Sequence, residues 1–351
     1  MLRPVRFLPD NTAFDFISKR VWFISASGVF LLGCLLSVAV QGLNFGIDFT
    51  GGILVEARTP ASVDLAQVRE TLNTQVAGDI ALTTYGSEGR DLMIRVPEQP
   101  GGEAANNAAL TRLKGALGDG VEYRRTEVVG PKVGDELVTA GALAMGLAIL
   151  SIAGYIWFRF EWQYAIGGVI ALLHDVIATI GLFSLFQVQF DLTSVAAVMT
   201  VAGYSINDTV VIFDRVREEL RRHKKMGMGE VLNLAINRTL SRTILTGGTT
   251  LLALLCLFLF GGEVLRGFSI AIIWGIVVGT YSSIYVAVPA LIYFRFERSG
   301  EGDAPVPVEE KEGLGKEASG ADLAARAAQA EAEARRAMPS RRVTGKVKPR
   351  R

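Results

Sequence analysis

Apolar positions along this 351-residue chain gather into six long runs that carry few or no charges. The first spans residues 21–40, twenty positions without a charge. The second covers 137–158. The third covers 162–186 and is interrupted by His174 and Asp175. The fourth runs over 190–213 with Asp191 near its start and Asp208 further in, and the fifth over 241–260 with Arg242 near its start. The sixth, 267–294, has no charge at all. About 20 apolar residues in helical form cross the hydrocarbon of a bilayer, so each run predicts a membrane-spanning helix. All six are too long for barrel strands, and only helices or closed barrels satisfy the backbone in lipid. At a rise of about 1.5 Å per residue the sixth exceeds one bilayer thickness, which predicts tilting or projection. A cleaved signal peptide is disfavoured for the first run: its apolar stretch outlasts a signal core, and no small-x-small site follows Val40.

Between the first two spans the pattern changes. A strand is predicted at 53–59, then an amphipathic helix at 63–75 with Leu65, Val68 and Leu72 at helical spacing. Strands at 80–85 and 91–96 flank a Gly-containing turn at 86–89. A second helix at 103–117, apolar at Leu110, Leu113 and Leu117, leads to a strand at 121–129. The order β-α-β-β-α-β is that of a ferredoxin-like α+β domain, placed at about 53–133. It has no histidine or cysteine, and its scattered charges form no catalytic constellation. A binding, docking or mechanical role follows. Segment 299–351 begins with Gly, Pro and acid, continues through an Ala-rich stretch at 321–337 and ends basic, from Arg341 to Arg351. That composition reads as disordered, and its cationic end fits either contact with anionic lipid or a ribosome, or a merely solvated tail.

Basic residues set the expected orientation. Arg215, Arg217, Arg221, Arg222, Lys224, Lys225 and Arg238 lie between spans four and five, the N-terminal flank is basic, and Arg295 and Arg298 follow span six. With six spans these regions share one side, the cytoplasm, leaving both termini inside and the ferredoxin-like domain outside. The expected layout is therefore 1–20 cytoplasmic, 21–40 first span, 41–136 external, 137–298 spans two to six, and 299–351 a cytoplasmic tail. With 36 basic and 35 acidic residues the net charge of +1 gives no argument for nucleic acid. Cys34 and Cys256 both lie inside apolar runs. Two distant cysteines with His174 and His223 offer no zinc-ligand spacing, and no Gly-rich nucleotide loop is present. The chain is read as a non-enzyme without metal or organic cofactor, and without a recognisable ATP site.

Chemistry is sought where ionisable groups enter the membrane, because such groups usually face the bundle interior and mark functional paths. Asp208, one turn after Tyr204 and next to Asn207, is either a protonatable carboxylate or an interhelical clamp. Arg242 either snorkels to the headgroups or, if span five starts nearer Leu232, lies inside the bilayer and pairs with Asp208. His174 and Asp175 point about 100° apart on a helix and fit a proton relay or a packing clamp equally well. Gly167, Gly168, Gly247, Gly248, Gly275 and Gly279 favour close helix contacts, and Pro289 predicts a bend.

Several motifs stand in fixed places relative to these spans. Residues 43–52 (LNFGIDFTGG) follow span one, and 128–134 (VVGPKVG) precede span two. His174–Asp175 lies in span three, 203–218 (GYSINDTVVIFDRVRE) in span four, and 237–243 (NRTLSRT) at the head of span five. Over about residues 15–296 the chain resembles the SecD/SecF family of protein-export membrane proteins, of the resistance-nodulation-division class. The resemblance implies a six-helix bundle of that class with a small external domain. It further implies an accessory subunit of the Sec preprotein translocase in the bacterial inner membrane, working with a SecD-like protein, a YajC-like protein and the SecYEG translocon on unfolded preprotein. Protons would be the coupling ion, with the proton-motive force completing translocation. Asp208 would be the protonatable aspartate and Arg242 its associated arginine, with Asn207, Tyr204, His174 and Asp175 in the same relay. Gly46, Asp48, Gly51, Gly52, Gly130, Pro131 and Gly134 would form the motifs joining the domain to the bundle. A non-transducing scaffold is the alternative. Small-molecule efflux fits less well, since efflux relatives carry two bundles and two large external domains.

Overall fold

The computed structural model describes residues 12–85, 89–118, 120–262 and 265–294. The first long helix, α1 (Arg20–Gln41), leads into a two-residue strand β1 (Asn44–Phe45) and a single turn α2 (Ile47–Thr50). The small domain follows as β2 (Gly52–Arg58), α3 (Leu65–Asn73), β3 (Ala81–Tyr85), β4 (Asp91–Val96), α4 (Gly102–Leu117) and β5 (Glu122–Val129). Then come α5 (Pro131–Arg159), α6 (Trp162–Leu185), a second two-residue strand β6 (Gln189–Phe190), α7 (Leu192–Arg222), α8 (Met228–Phe260) and α9 (Arg266–Ser282). Among the described residues, six helices are long and apolar enough to cross a membrane. The expected turn at residues 86–88, the basic residues Arg3, Arg6, Arg295 and Arg298, and the whole of segment 299–351 lie outside the described residues.

The small domain has the predicted element order, and its sheet runs β3–β4–β2–β5 with every neighbour antiparallel. That is the ferredoxin-like arrangement, in which the first strand is central. Its central position explains why β2 is buried along almost its whole length, while edge strand β5 alternates. Helices α3 and α4 supply Leu72, Ala109 and Leu113 to a core with Ile53, Val55, Leu92, Ile94 and Val96.

Three helix limits differ from the expectation. Helix α5 starts at Pro131 rather than near 137, since proline at a first helical position gives up an N–H that has no intrahelical partner. Helix α7 continues past Phe213 to Arg222, and α8 starts at Met228, well before 241. Hydropathy loses both extensions because they are amphipathic, not apolar. Val216 on α7 and Val231, Leu232, Ala235, Ile236 and Thr239 on α8 are buried at helical spacing, and most of them join one core with Ile17, Phe160 and Phe213. At the end of the last span the helix widens into a π-helical turn, Ser283–Ala287, before α10 (Val288–Ala290) and a 3₁₀ turn at Leu291–Tyr293. Pro289 has no N–H to give to the carbonyl four residues earlier, which lies inside the widened turn.

Candidate functional site: buried polar groups in the helix bundle

Helix α6 runs through the centre of the bundle and carries His174 and Asp175 on buried faces. Asp175 is fully buried and accepts hydrogen bonds from three elements. Ser205 Oγ of α7 makes a short one, Ser282 Oγ of α9 donates at 2.7 Å, and His174 Nδ1 approaches Oδ1 at 2.9 Å. The two neighbours on α6, expected to diverge, are thus joined at their side chains: the imidazole folds back along its own helix. His174 also lies against the Tyr281 ring, centroids 6.1 Å apart, and its Nε2 is buried without a hydrogen-bond partner. Just beyond, Thr209 Oγ1 and Ser283 Oγ meet at 2.8 Å. Ser205, Thr209, Ser282 and Ser283 are the residues sequence reasoning missed as site members. Their signal was weak: short hydroxyls in apolar spans usually bond their own helix backbone.

Asp208 lies on α7 at 3% exposure, with Oδ2 buried and unpartnered. Tyr204, one turn earlier, is half-buried and turns its hydroxyl toward Gly247 on α8. Arg242 itself is exposed on the chain, as is Asn207. The buried groups therefore fall into two sets: a hydrogen-bonded knot centred on Asp175, and a carboxylate at Asp208 that is closed off from water yet unbonded at one oxygen. Close backbone approach makes this packing possible. A Cβ on Gly275 would run into the Val201 side chain, and one on Gly279 would sit 2.9 Å from Ser205 Cβ. Gly167 is similarly tight against the Ala287 carbonyl, whereas Gly248 faces open space.

The motif residues after span one assemble at the domain end of the bundle. Asn44–Phe45 pairs in parallel with Gln189–Phe190, and Gly46 N–H donates to the Phe190 carbonyl at 2.8 Å. Asp48 Oδ2 accepts from the Leu192 amide at 2.9 Å, adding a carboxylate to the helix N-terminus that Asp191 already caps through Ser194. A Cβ on Gly46 would strike Gln189, and one on Gly134 would lie 3.1 Å from the Phe49 carbonyl. Gly51 and Gly52 both have positive φ, and Gly52 packs against the Val96 carbonyl, so both positions demand glycine. Gly130 precedes α5, and Pro131 opens it. Arg95, on β4 of the domain, reaches Asn44 Oδ1 at 3.5 Å. Burial holds its guanidinium below the usual arginine range, against the pull of Asp191.

At the opposite end, residues 12–17 lie along α8. Asn233 Oδ1 accepts from the amides of Phe16 and Ile17, Asn237 Oδ1 accepts from that of Phe14, and Asn233 Nδ2 donates to Asp15. Burial would raise the Asp15 carboxyl, but the bonds from Asn233 and Ser18 hold it below the usual range. Glu219, fully buried, takes Arg215 at 2.7 Å and Arg238 at 2.5 Å, while His223 Nδ1 lies 3.1 Å from its second oxygen without a hydrogen bond. Among the described residues no group of three or more His, Cys, Asp or Glu is placed to hold a metal.

A membrane bundle with buried ionisable groups, closed at one end by a ferredoxin-like domain, defines a class of polytopic membrane protein built around a polar interior. Family models narrow it. Residues 110–297 match the protein export membrane protein SecD/SecF C-terminal family, and residues 36–59 match the SecD/SecF GG motif. The chain belongs to the SecD/SecF family. Its relatives include the protein translocase subunit SecF of Rickettsia rickettsii, 45% identical over 83% of this chain and 95% of that one. SecF of Cereibacter sphaeroides is 43% identical over 84% and 94%. Among solved structures, SecDF, a translocon-associated membrane protein from Thermus thermophilus, superposes with a TM-score of 0.71 at 34% identity. That match covers 83% of this chain but only 40% of the longer SecDF chain. SecDF in its super-membrane-facing form gives 0.59 at 32% identity.

Proposed function

We infer from its membership of the family that the chain has a role in the Sec translocase machinery. We propose that it is a proton-coupled accessory subunit that acts with a SecD-like protein to complete preprotein translocation across the inner membrane. A YajC-like protein and the SecYEG translocon are the further partners, and both termini are cytoplasmic. Asp208 is the proton carrier, and Arg242 the counter-charge that stabilises its ionised form. The observation that carries this reading is the Asp208 carboxylate, buried on α7 with one oxygen that has no hydrogen-bond partner. A carboxylate so placed can exchange a proton without dismantling a hydrogen-bonded structure, as Asp175 cannot.

Helix α7 supplies the transmission. Its outer end is held by Asp48 and by the strand pair to residues 44–45, and those residues lead directly into the domain's central strand. A shift of α7 that follows protonation is thereby delivered to the domain's attachment. Each charge moving through the full field yields about 2.3 kcal/mol per 100 mV. The test is late-stage preprotein translocation into inverted vesicles with and without a proton gradient. Asp208→Asn should keep insertion and partner capture but lose gradient stimulation, and Arg242→Ala should impair the same step. Normal stimulation in Asp208→Asn rejects the carrier role. Loss of partner capture in that variant instead supports a clamp, a reading to which the hydrogen bonds converging on Asp175 lend support.

A further inference from the structure

Where α5 and α7 reach the inner end of the bundle, six side chains line an open basin of about 450 Å³: Arg159, Asp214, Arg217, Glu218, Arg221 and Arg222. Four guanidiniums meet two carboxylates there. The pairings leave the charge uneven. Arg159 is held by Asp214 at 3.1 Å and Arg222 by Glu218 at 2.6 Å. Arg217 reaches Glu161 only at 4.0 Å, and its Nε is buried without a hydrogen-bond partner. Arg221 forms no ion pair among the described residues and is exposed. Two basic residues at a helix C-terminus are accounted for by the helix dipole. A buried, unbonded guanidinium nitrogen beside a free arginine is not.

Depth identifies the ligand. Trp157, Phe158 and Trp162 surround the junction of α5 and α6 and are largely exposed, Phe158 at 93%. Exposed aromatic residues at a span end mark the level of the lipid headgroups. The basin therefore opens at headgroup level, where the most abundant anion is a phosphodiester. Guanidinium forks bind phosphate oxygens in paired hydrogen bonds, and basic pockets between spans on the cytoplasmic side suit anionic headgroups. We propose that this basin binds the phosphate of an anionic phospholipid, with Arg217 and Arg221 as its principal ligands.

The experiment uses the full chain. Binding of diphosphatidylglycerol and of phosphatidylcholine is measured by native mass spectrometry, with inorganic phosphate as competitor. The paired change Arg217→Gln with Arg221→Gln should weaken the anionic lipid about tenfold or more and leave phosphatidylcholine unchanged. Neutralising Arg341, Arg342, Lys346, Lys348, Arg350 and Arg351 should leave anionic lipid binding at this site intact. As a measurement independent of any variant's folding, the unaltered chain in nanodiscs should gain hydrogen-exchange protection over 214–222 when anionic lipid replaces zwitterionic. Equal binding by the paired variant, no gain in protection, or full displacement by inorganic phosphate at matched concentration would each overturn the proposal. The last result would assign the basin to a free anion.

Discussion

Removing the Asp175 carboxylate tests whether the central knot is structural. Asp175→Ala strips the acceptor from Ser205, Ser282 and His174 at once, and all four residues are buried. Interhelical hydrogen bonds in membranes average about 0.6 kcal/mol and reach about 1.7. The two that cross between helices, from Ser205 and Ser282, together cost about 1.2 kcal/mol, with an upper bound near 3.4 if each lies at the strong end. A loss of about 1.2 kcal/mol is a roughly sevenfold change in the folding equilibrium, within reach of measurement. Asp175→Asn keeps one acceptor oxygen for the two serines and places an amide beside His174 Nδ1, which accepts once the ring changes tautomer. It should cost less than half as much as alanine. Unfolding in mixed micelles, followed by tryptophan fluorescence, measures both variants. If alanine stays within about 0.5 kcal/mol of the unaltered chain, the knot does not hold α6, α7 and α9 together. If asparagine retains stability and gradient-stimulated export, Asp175 is a clamp and not a relay member.

Gly275→Ala should destabilise the bundle by about 1–3 kcal/mol, because its methyl meets Val201. Gly33→Ala, which meets nothing within 4 Å, should be neutral or slightly stabilising in the same unfolding assay. Reporter fusions near Pro100 should be active outside, and fusions near Lys225 or after Ser299 inside; an inside signal at residue 100 of a correctly inserted chain would reverse the proposed orientation.

The apolar runs and the alternating strands were legible because each is a local property of the sequence: the six spans and the β-α-β-β-α-β order stand in the structure as read. Helix extensions such as 214–222 and 228–240 were not, since amphipathic stretches bury one stripe and look polar in any average. Asp208, His174 and Asp175 stood out as charges in apolar runs. Their sorting did not, because it depends on hydroxyls from α7 and α9 that lie about 30 and 107 residues away from Asp175. Asp48 was visible only as part of a motif. Its bond to Leu192 joins positions 144 residues apart, a distance that no pattern in the chain reveals.

Depth along the helices carries the coupling argument one step further. Asp208 lies sixteen residues below the first residue of α7, about 24 Å at 1.5 Å per residue. Arg242 lies eighteen residues from the outer end of α8, about 27 Å. The two are therefore level, and both lie far from the domain end of a hydrocarbon layer about 30 Å thick, near the face that the proposed orientation makes the inner one. A proton arriving from outside would cross about four-fifths of the field before reaching Asp208, and thus deliver about 1.8 of the 2.3 kcal/mol per 100 mV on the outer side of the carrier. Protonation, rather than release, is then the voltage-dependent step. The same geometry predicts access. With Cys34 and Cys256 replaced by serine, Asp208→Cys should react faster with a membrane-impermeant thiol reagent applied from the cytoplasmic side, because the inner barrier is the thinner one. Cys256→Ser alone should leave export unchanged, as Cys256 is exposed on α8 and free. Labelling of Asp208→Cys that is equal from both sides, or faster from outside, would place the carrier on the other side of the main barrier and remove the basis for a voltage-driven protonation step.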